Sequence, residues 1–184
     1  MLHTFVVRVE NQPGVLNRVA SLFRRRAFNI ESLTVGHTET PGVSRMTIVV
    51  ETDSAGANRL EANLYKLVNV LSVDDVTDAP VVCRDLAMIK VAADANQRTE
   101  VMHLVDVFRA RVIDVTPTSL VIETTGTEDK IDGLLEVLRP YGVIEMVRTG
   151  RVAMERGVAA TGAALAATAP PIDYGSEARY PCAL

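Results

Sequence analysis

Apolar and polar residues alternate with a period of two in some stretches of this chain and recur at helical spacing in others. Up to Asp78 these patterns predict a strand, a helix, two strands, a second helix and a closing strand. The stretches are Thr4–Glu10, Val15–Arg26, Asn29–Thr38, Ser44–Thr52, a helix marked by Ala57, Leu60, Leu64, Leu67 and Leu71, and Val73–Asp78. The order βαββαβ is typical of a ferredoxin-like unit, in which two helices pack on one face of an antiparallel sheet.

The same order of patterns starts again after Asp78. Strands are expected at Leu86–Val91, Val112–Val115, Leu120–Thr124 and Val143–Arg148. Helical stripes fall at Val101, Leu104, Val105 and Phe108, and at Ile131, Leu134, Leu135 and Leu138. The first stripe repeats Leu16, Val19, Ala20 and Phe23 at one constant offset along the chain. The offset from Leu60 to Ile131 is smaller, which predicts a shorter central hairpin in the second set of elements.

The chain is therefore predicted to be an α+β protein with two tandem ferredoxin-like units. The units are residues 1–78 and 84–157, joined by a linker at 79–83. Residues 158–184 lack a sustained apolar stripe, are rich in Ala and Pro, and are predicted to be a mobile tail. We expect removal of the last part of this tail, Asp173–Leu184, to leave function intact.

The turn Asn11-Gln12-Pro13-Gly14 joins the first strand to the first helix. Pro13 suits the first helical turn because its missing N–H would have no partner there. Gly14 has no Cβ, so a ligand can approach the backbone closely. The first N–H groups of the helix, at the positive end of its dipole, favour a carboxylate, and Asn11 offers both donor and acceptor groups. Taken alone, the motif is equally consistent with a plain strand-to-helix turn.

Three segments between His3 and Val50 make the motif more specific: NQPGVLNRVASLFRRR, FNIESLTVG and SRMTIVV. In these segments the chain resembles the N-terminal ACT domain of the small, regulatory subunit of acetolactate synthase. ACT domains are amino-acid-sensing modules. LRPYGVIEMVRTGRVAMERG extends the resemblance into the C-terminal domain of the same subunit, as far as Gly157 and not into the tail.

The resemblance implies a non-catalytic protein that binds and activates a catalytic large subunit and confers feedback inhibition by valine or another branched-chain amino acid, in the biosynthesis of valine, leucine and isoleucine. It also implies a homodimer whose ACT domains lie side by side. The amino acid then binds between the Asn11–Leu16 turn of one chain and the Asn29–Ile30 segment of the other. The implied valine-binding residues are Asn11, Gln12, Pro13, Gly14, Val15, Leu16, Asn29 and Ile30.

The second unit departs from this pattern. Asn96-Gln97 repeats Asn11-Gln12 at the offset of the first helical stripe, but Arg98-Thr99 replaces the Pro-Gly pair, and Asp114 falls where Asn29 stands. Added side chains crowd the helix start and a carboxylate repels the ligand, so only the first unit is predicted to bind an amino acid. The first unit has its own departure from the family: Ala27 occupies a position where Gly is usual. A positive φ there would cost Ala on the order of 1 kcal/mol, and a reshaped junction would move Asn29.

Candidate chemistry is sparse. The sequence has neither GxGxxG nor a Walker-type phosphate loop. The three histidines are isolated, and Cys83 and Cys182 lie far apart. No catalytic or metal-ligating residue is predicted, and no cofactor is expected on this chain. The resemblance places thiamine diphosphate, Mg²⁺ and FAD on the catalytic subunit.

Composition narrows the remaining classes of function. A net charge of −4 and a pI near 5.4 disfavour nucleic acid as a partner. An RNA-binding ferredoxin-like domain needs stacking aromatics, and aromatics make up only 4% of the chain. Val158–Ala169 is too short to span a bilayer, and the N-terminus has no signal-peptide pattern, so a cytoplasmic protein is expected. A stand-alone ACT protein serving a different enzyme remains as the second hypothesis.

Overall fold

The computed structural model describes residues 1–157, which form two antiparallel sheets with two helices on one face of each. The helices are α1 (Val15–Arg25), α2 (Ser54–Leu64), α3 (Arg98–Val107) and α4 (Glu128–Leu138). The strands are β1 (Leu2–Glu10), β2 (Ser32–His37), β3 (Val43–Glu51), β4 (Val70–Asp75), β5 (Val81–Ala92), β6 (Arg111–Val115), β7 (Ser119–Gly126), β8 (Val143–Arg148) and β9 (Val152–Glu155). The predicted fold, two tandem βαββαβ units, is confirmed.

The first unit comprises β1–β4 with α1 and α2, and its strands lie in the order β2-β3-β1-β4. Successive side chains of a strand point to opposite faces. Phe5, Val7 and Val9 of β1 therefore all face the two helices and are buried. The opposite face of the sheet, the open face, carries Thr4, Val6 and Arg8 from the same strand.

The second unit comprises β5–β9 with α3 and α4. Its main sheet has the order β6-β7-β5-β8, and β9 pairs separately with Val81–Arg84, the first residues of β5. Its core combines sheet residues with the inner faces of α3 and α4. The fully buried members include Ile89, Val91, Val101, Leu120, Ile122, Leu134 and Leu138.

The predicted linker is wrong in part, because residues 81–83 belong to β5. They pair with β9, a strand that the sequence pattern did not predict. The four residues of β9 are too few to show a clear alternation, and their partner strand continues directly into the predicted Leu86–Val91 strand.

The predicted extent of the second helix is also wrong. α2 ends at Leu64, and Leu71 lies in β4, which begins at Val70. The Tyr65 hydroxyl accepts a hydrogen bond from the N–H of Val73 and donates one to its carbonyl. These bonds stabilise the chain reversal between α2 and β4, which the leucine spacing does not indicate.

The correspondence between the helices of the two units differs from the predicted one. Val101 and Val105, which are buried, and Leu104, which is partly buried, correspond to Val19, Phe23 and Leu22, whereas the sequence pattern aligns Val101, Leu104 and Val105 with Leu16, Val19 and Ala20. In the second pair of helices, Leu134 and Leu138 correspond to Leu60 and Leu64, and Ile131 does not take the place of Leu60. The central hairpin of the second unit is therefore shorter, but by less than predicted.

Leu16, which the sequence pattern places in the apolar stripe of α1, does not belong to the buried face of that helix. This residue is 43% exposed, whereas Val15 and Val19 are buried.

Ala27 adopts a left-handed conformation with φ 55° at the end of α1. The N–H of Phe28 donates to the carbonyl of Phe23, and the N–H of Ala27 donates to that of Arg24, the pattern of a Schellman motif. An L-residue is disfavoured in this conformation by roughly 1–2 kcal/mol. The predicted conflict at Ala27 is therefore present in the structure.

We expect Ala27→Gly to raise the free energy of unfolding by about 1 kcal/mol, because Gly adopts φ > 0 without steric cost but loses more entropy on folding. Urea or thermal unfolding measures the change. The matched control is Ala62→Gly at an exposed position inside α2, which is expected to destabilise by about 1 kcal/mol. Destabilisation by both substitutions would contradict the assignment of strain to Ala27.

The predicted tail, residues 158–184, lies outside the described residues, as does the expectation about Asp173–Leu184. Within residues 1–157, none of the helices has the length and hydrophobicity needed to cross a bilayer.

Candidate effector site at the end of strand β1

The end of β1 is held in place by Asn69, a buried residue that precedes β4. The side-chain amide of Asn69 donates a hydrogen bond to Glu10 Oε2 at 2.6 Å. The backbone carbonyl of Asn69 accepts a hydrogen bond from the N–H of Glu10 at 2.9 Å. Its Oδ1 accepts a hydrogen bond from Arg18 on α1. Asn69 thus connects the last residue of β1 to the helix that follows the turn.

Gly14 is the N-cap residue of α1 and has φ 84°, in the left-handed region that favours glycine. A Cβ added to Gly14 would meet no atom of residues 1–157 within 4 Å, so the described part of the chain leaves the space beside Gly14 open. In the described residues, no side chain caps α1, and its first turn holds no acidic residue. The positive end of the helix dipole therefore faces solvent with no carboxylate of this unit already bound to it.

The β2–β3 hairpin forms one wall beside the turn. The N–H of Asn11 donates to the carbonyl of Gly42 over 2.7 Å, and Asn11 Nδ2 lies 3.4 Å from His37 Nδ1. Sequence reasoning missed His37, Gly42 and Asn69 as neighbours of the site. Their distance along the chain gave no signal, and only the pairing of β1 with β3 and β4 brings them to this end of the sheet.

The predicted residues of the turn divide by exposure. Asn11, Gln12, Pro13, Gly14 and Leu16 are exposed. Val15 is buried in the first core, and its N–H donates to the carbonyl of Gln12. Val15 therefore supports the turn from beneath, and its side chain does not line an open surface.

Asn29 and Ile30 lie at the opposite end of the same sheet. The neighbouring Glu31 donates its N–H to the carbonyl of Val49, whereas Glu10 pairs with Val43. The stretch of β3 from Val43 to Val49 spans about 20 Å at strand geometry. Within one chain, the Asn11–Leu16 turn and the Asn29–Ile30 segment are therefore not brought together.

The exposed amide of Asn29 donates to Glu31 Oε1, and Ile30 is half-buried against the first core. Both residues precede β2, which among the described strands pairs only with β3 and forms an edge of the sheet. Within residues 1–157, the backbone groups on the outer side of β2 therefore pair with no second strand, as is typical of a sheet edge.

The second unit lacks these features at the structurally equivalent positions. The N–H of Ala93, which is buried, donates to the hairpin carbonyl of Thr118 in the way that Asn11 donates to Gly42. Arg109 takes the left-handed place of Ala27, so Arg111 corresponds to Asn29. The sequence-based match of Asp114 to Asn29 is wrong, because Asp114 lies inside β6.

Within residues 1–157, no group of three or more His, Cys, Asp or Glu side chains is arranged to hold a metal ion. The adjacent carboxylates of Asp74 and Asp75 point to opposite faces of β4. Asp74 pairs with Arg8 and Asp75 with His3, and both pairs connect β4 to β1.

Comparison with known proteins gives a consistent result over both units. Residues 5–72 match the family model of the AHAS small subunit-like ACT domain. Residues 84–157 match the model of the small subunit of acetolactate synthase.

Full-length relatives extend this similarity. The chain is 50% identical over 157 residues to a probable acetolactate synthase small subunit of Archaeoglobus fulgidus, covering 85% of this chain and 98% of that protein. It is 46% identical over 158 residues to the acetolactate synthase small subunit of Bacillus subtilis, covering 85% and 92%. The crystal structure of the small subunit from Thermotoga maritima superposes with a TM-score of 0.80 at 40% identity, covering 86% of this chain and 99% of that one.

Proposed function

Because the chain belongs to the family of acetolactate synthase small subunits, we propose that it binds and activates the catalytic large subunit and confers feedback inhibition by valine. The regulatory ACT domain in its first unit supports this role. The proposed setting is valine, leucine and isoleucine biosynthesis in the cytoplasm. The observation that carries the effector proposal is the separation of Asn11 and Asn29 by about the length of a strand within one chain.

A homodimer formed through the edge strand β2 would remove this separation. When two copies of β2 pair antiparallel about a two-fold axis, the start of one strand lies beside the end of the other. Ser32 is at the start of β2 and His37 is at its end. Asn29 and Ile30 of one chain would then lie beside His37 and the Asn11–Gly14 turn of the second chain, and two equivalent pockets would form.

Each such pocket has the groups that an α-amino acid requires. The exposed N-terminus of α1 would receive the carboxylate, and the amide groups of Asn11 and Asn29 would orient it. The acidic side chain of Glu31, next to Asn29, would favour the ammonium group. Leu16 and Ile30 offer apolar contacts for a branched side chain. Valine bound in this way would stabilise one arrangement of the dimer, and the catalytic subunit would respond to that arrangement.

The purified chain is expected to show no acetolactate synthase activity and to increase the activity of its catalytic subunit on mixing. The physical reason is that thiamine diphosphate, Mg²⁺ and FAD are proposed to be held by the catalytic subunit alone. Pyruvate-dependent formation of acetolactate measures both effects. Activity of this chain in the absence of its partner would contradict the non-catalytic role.

Calorimetric titration tests the effector directly. Valine, leucine and isoleucine are each added to the purified protein, and we expect one molecule of valine bound per chain. The alternative, a stand-alone ACT protein serving a different enzyme, predicts amino-acid binding without any effect on the catalytic subunit. The same titration followed by the mixing assay separates the two functions.

A further inference from the structure

The open face of the first sheet is covered by a segment of the second unit. This crossing segment, residues 149–155, leads from the end of β8 into β9. Val6 and Val76 of the first unit form a small third core with Ala153, which is fully buried. Arg45 of β3 donates a hydrogen bond to the carbonyl of Ala153. The contacts therefore include both apolar packing and specific polar bonds.

The crossing segment packs against β2 with almost no free space between them. A methyl group built on Gly150 would lie 2.7 Å from the carbonyl oxygen of Leu33, 2.7 Å from Thr34 Oγ1 and 2.8 Å from Ser32 Oγ. All three distances are shorter than side-chain carbons tolerate. The adjacent N–H of Arg151 donates to Ser32 Oγ over 2.8 Å. The backbone of the crossing segment therefore packs directly on β2 at Gly150. The crossing segment and β2 each oppose movement of the other.

Two arginines, one just before the crossing segment and one within it, bond to the rest of the second unit. Arg148 donates to Asp85 Oδ2 through two nitrogens at 2.7 and 3.0 Å, and to Asp132 at 3.0 Å. Burial alone would lower the pKa of Arg148, but the bond to Asp85 and the nearby acidic charges raise it. Arg151 pairs with Glu128 at the start of α4 and also reaches Thr4 Oγ1 of β1 at 3.4 Å. The segment is thus joined to the rest of the second unit by ion pairs.

The location of this contact relates it to the effector site. Ser32 is the first residue of β2, and the Asn29–Ile30 segment of the proposed valine pocket lies just before it in the chain. A cavity of about 420 Å³ lies at the same place. Glu31 and Leu33 bound it on the first unit, and Asp85, Glu128 and Arg148 bound it on the second. The cavity therefore lies between the two units, directly beside the contact of Gly150 with Ser32.

We propose that Gly150 and Ser32 are positioning residues that couple the valine pocket to the second unit, through the contact of the crossing segment with β2. This inference rests on the proposed function. When valine orders the Asn29–Ile30 segment, the start of β2 is held in one position. The contact at Gly150 then holds the crossing segment, and with it β8 and α4, in a matching position. Inhibition of the catalytic subunit requires this second effect in addition to valine binding.

Two measurements test the coupling. In the wild-type protein, valine should slow amide hydrogen exchange both in β2 and in residues 149–155, including the N–H of Arg151. In Gly150→Ala, the added methyl group should separate the segment from β2, and valine should then slow exchange in β2 alone. Inhibition of the assembled enzyme should need at least tenfold more valine. The dissociation constant of valine for the regulatory subunit should change less than threefold.

Ser32→Ala is the milder variant, because it removes the acceptor of the Arg151 bond without adding volume. It should shift inhibition in the same direction by a smaller factor. Gly133→Ala is the matched control in α4, where an added Cβ would meet only ordinary contacts with Phe108 at 3.5 Å or more, and it should be inhibited like wild type.

Inhibition of Gly150→Ala at wild-type valine concentrations would overturn the coupling. So would a wild-type protein that binds valine without any change of exchange in residues 149–155. A wild-type protein that binds no branched-chain amino acid would overturn the proposed function and this inference with it.

Discussion

Gly14→Asp is expected to raise the valine concentration required for half-maximal inhibition by about 100-fold, while activation of the catalytic subunit is retained. The new carboxylate would lie at the open N-terminus of α1, where the carboxylate of valine is proposed to bind. Two unit charges about 5 Å apart at an effective dielectric constant near 20 repel by about 3 kcal/mol, which corresponds to about 100-fold in affinity. Inhibition curves of the reconstituted enzyme measure the shift.

Gly14→Asn is the matched control because it has the same shape and the same left-handed backbone strain without the charge. Asn and Asp are among the side chains that tolerate φ > 0 best, and an added Cβ would meet no atom of residues 1–157 within 4 Å, so both variants should fold. If Asn weakens inhibition as much as Asp does, volume or strain is the cause. If neither variant changes inhibition, Gly14 does not belong to the site.

Mixed dimers of Asn11→Ala and Asn29→Ala chains are expected to regain valine binding at half stoichiometry, although each homodimer binds weakly. In a pocket shared by two chains, each homodimer has two pockets with one missing amide. The heterodimer instead has one pocket lacking both amides and one intact pocket. A hydrogen bond to a charged group contributes about 1.5–3 kcal/mol, so each single loss should weaken binding by about 10- to 150-fold.

Calorimetric titration of a heterodimer purified through two different affinity tags makes this measurement. A dimer of tagged wild-type chains shows that the tags leave both sites functional. If each pocket lay within a single chain, every site in the heterodimer would carry one lesion and only weak binding would appear. That result would contradict the shared pocket and would leave the distance between Asn11 and Asn29 unexplained.

The repeated fold could be predicted from the sequence because its elements follow strong local periodicities. Phe5, Val7 and Val9 alternate along β1, and their counterparts Ile89 and Val91 do the same along β5. In each case a stripe of apolar residues at helical spacing follows. The turn at Gly14 was also predictable, because Pro and Gly at the start of a helix have local physical reasons.

The features that sequence reasoning missed all depend on contacts between distant parts of the chain. The leucine spacing through Leu67 and Leu71 continues past the true end of α2, because Leu67 packs on the core from a loop and Leu71 belongs to β4. The strand β9 is defined by its pairing with β5 and has little pattern of its own. The bond between Arg151 and Ser32 joins residues 119 positions apart, so no local pattern could indicate it.

The cover over the open face of the first sheet has a consequence for synthesis of the protein. The first unit is complete by Asp75, but its cover at 149–155 follows about 75 residues later, which at about 5–20 residues per second takes about 4–15 s on the ribosome. During this interval the open face is exposed to solvent and must not cause aggregation. Its mainly polar residues, including Thr4, Arg8 and Arg45, suit that requirement, whereas a fully apolar face would expose the nascent chain to association with its neighbours. Once residues 149–155 have been synthesised, hydrogen bonds to their backbone join the two units without an extensive apolar surface.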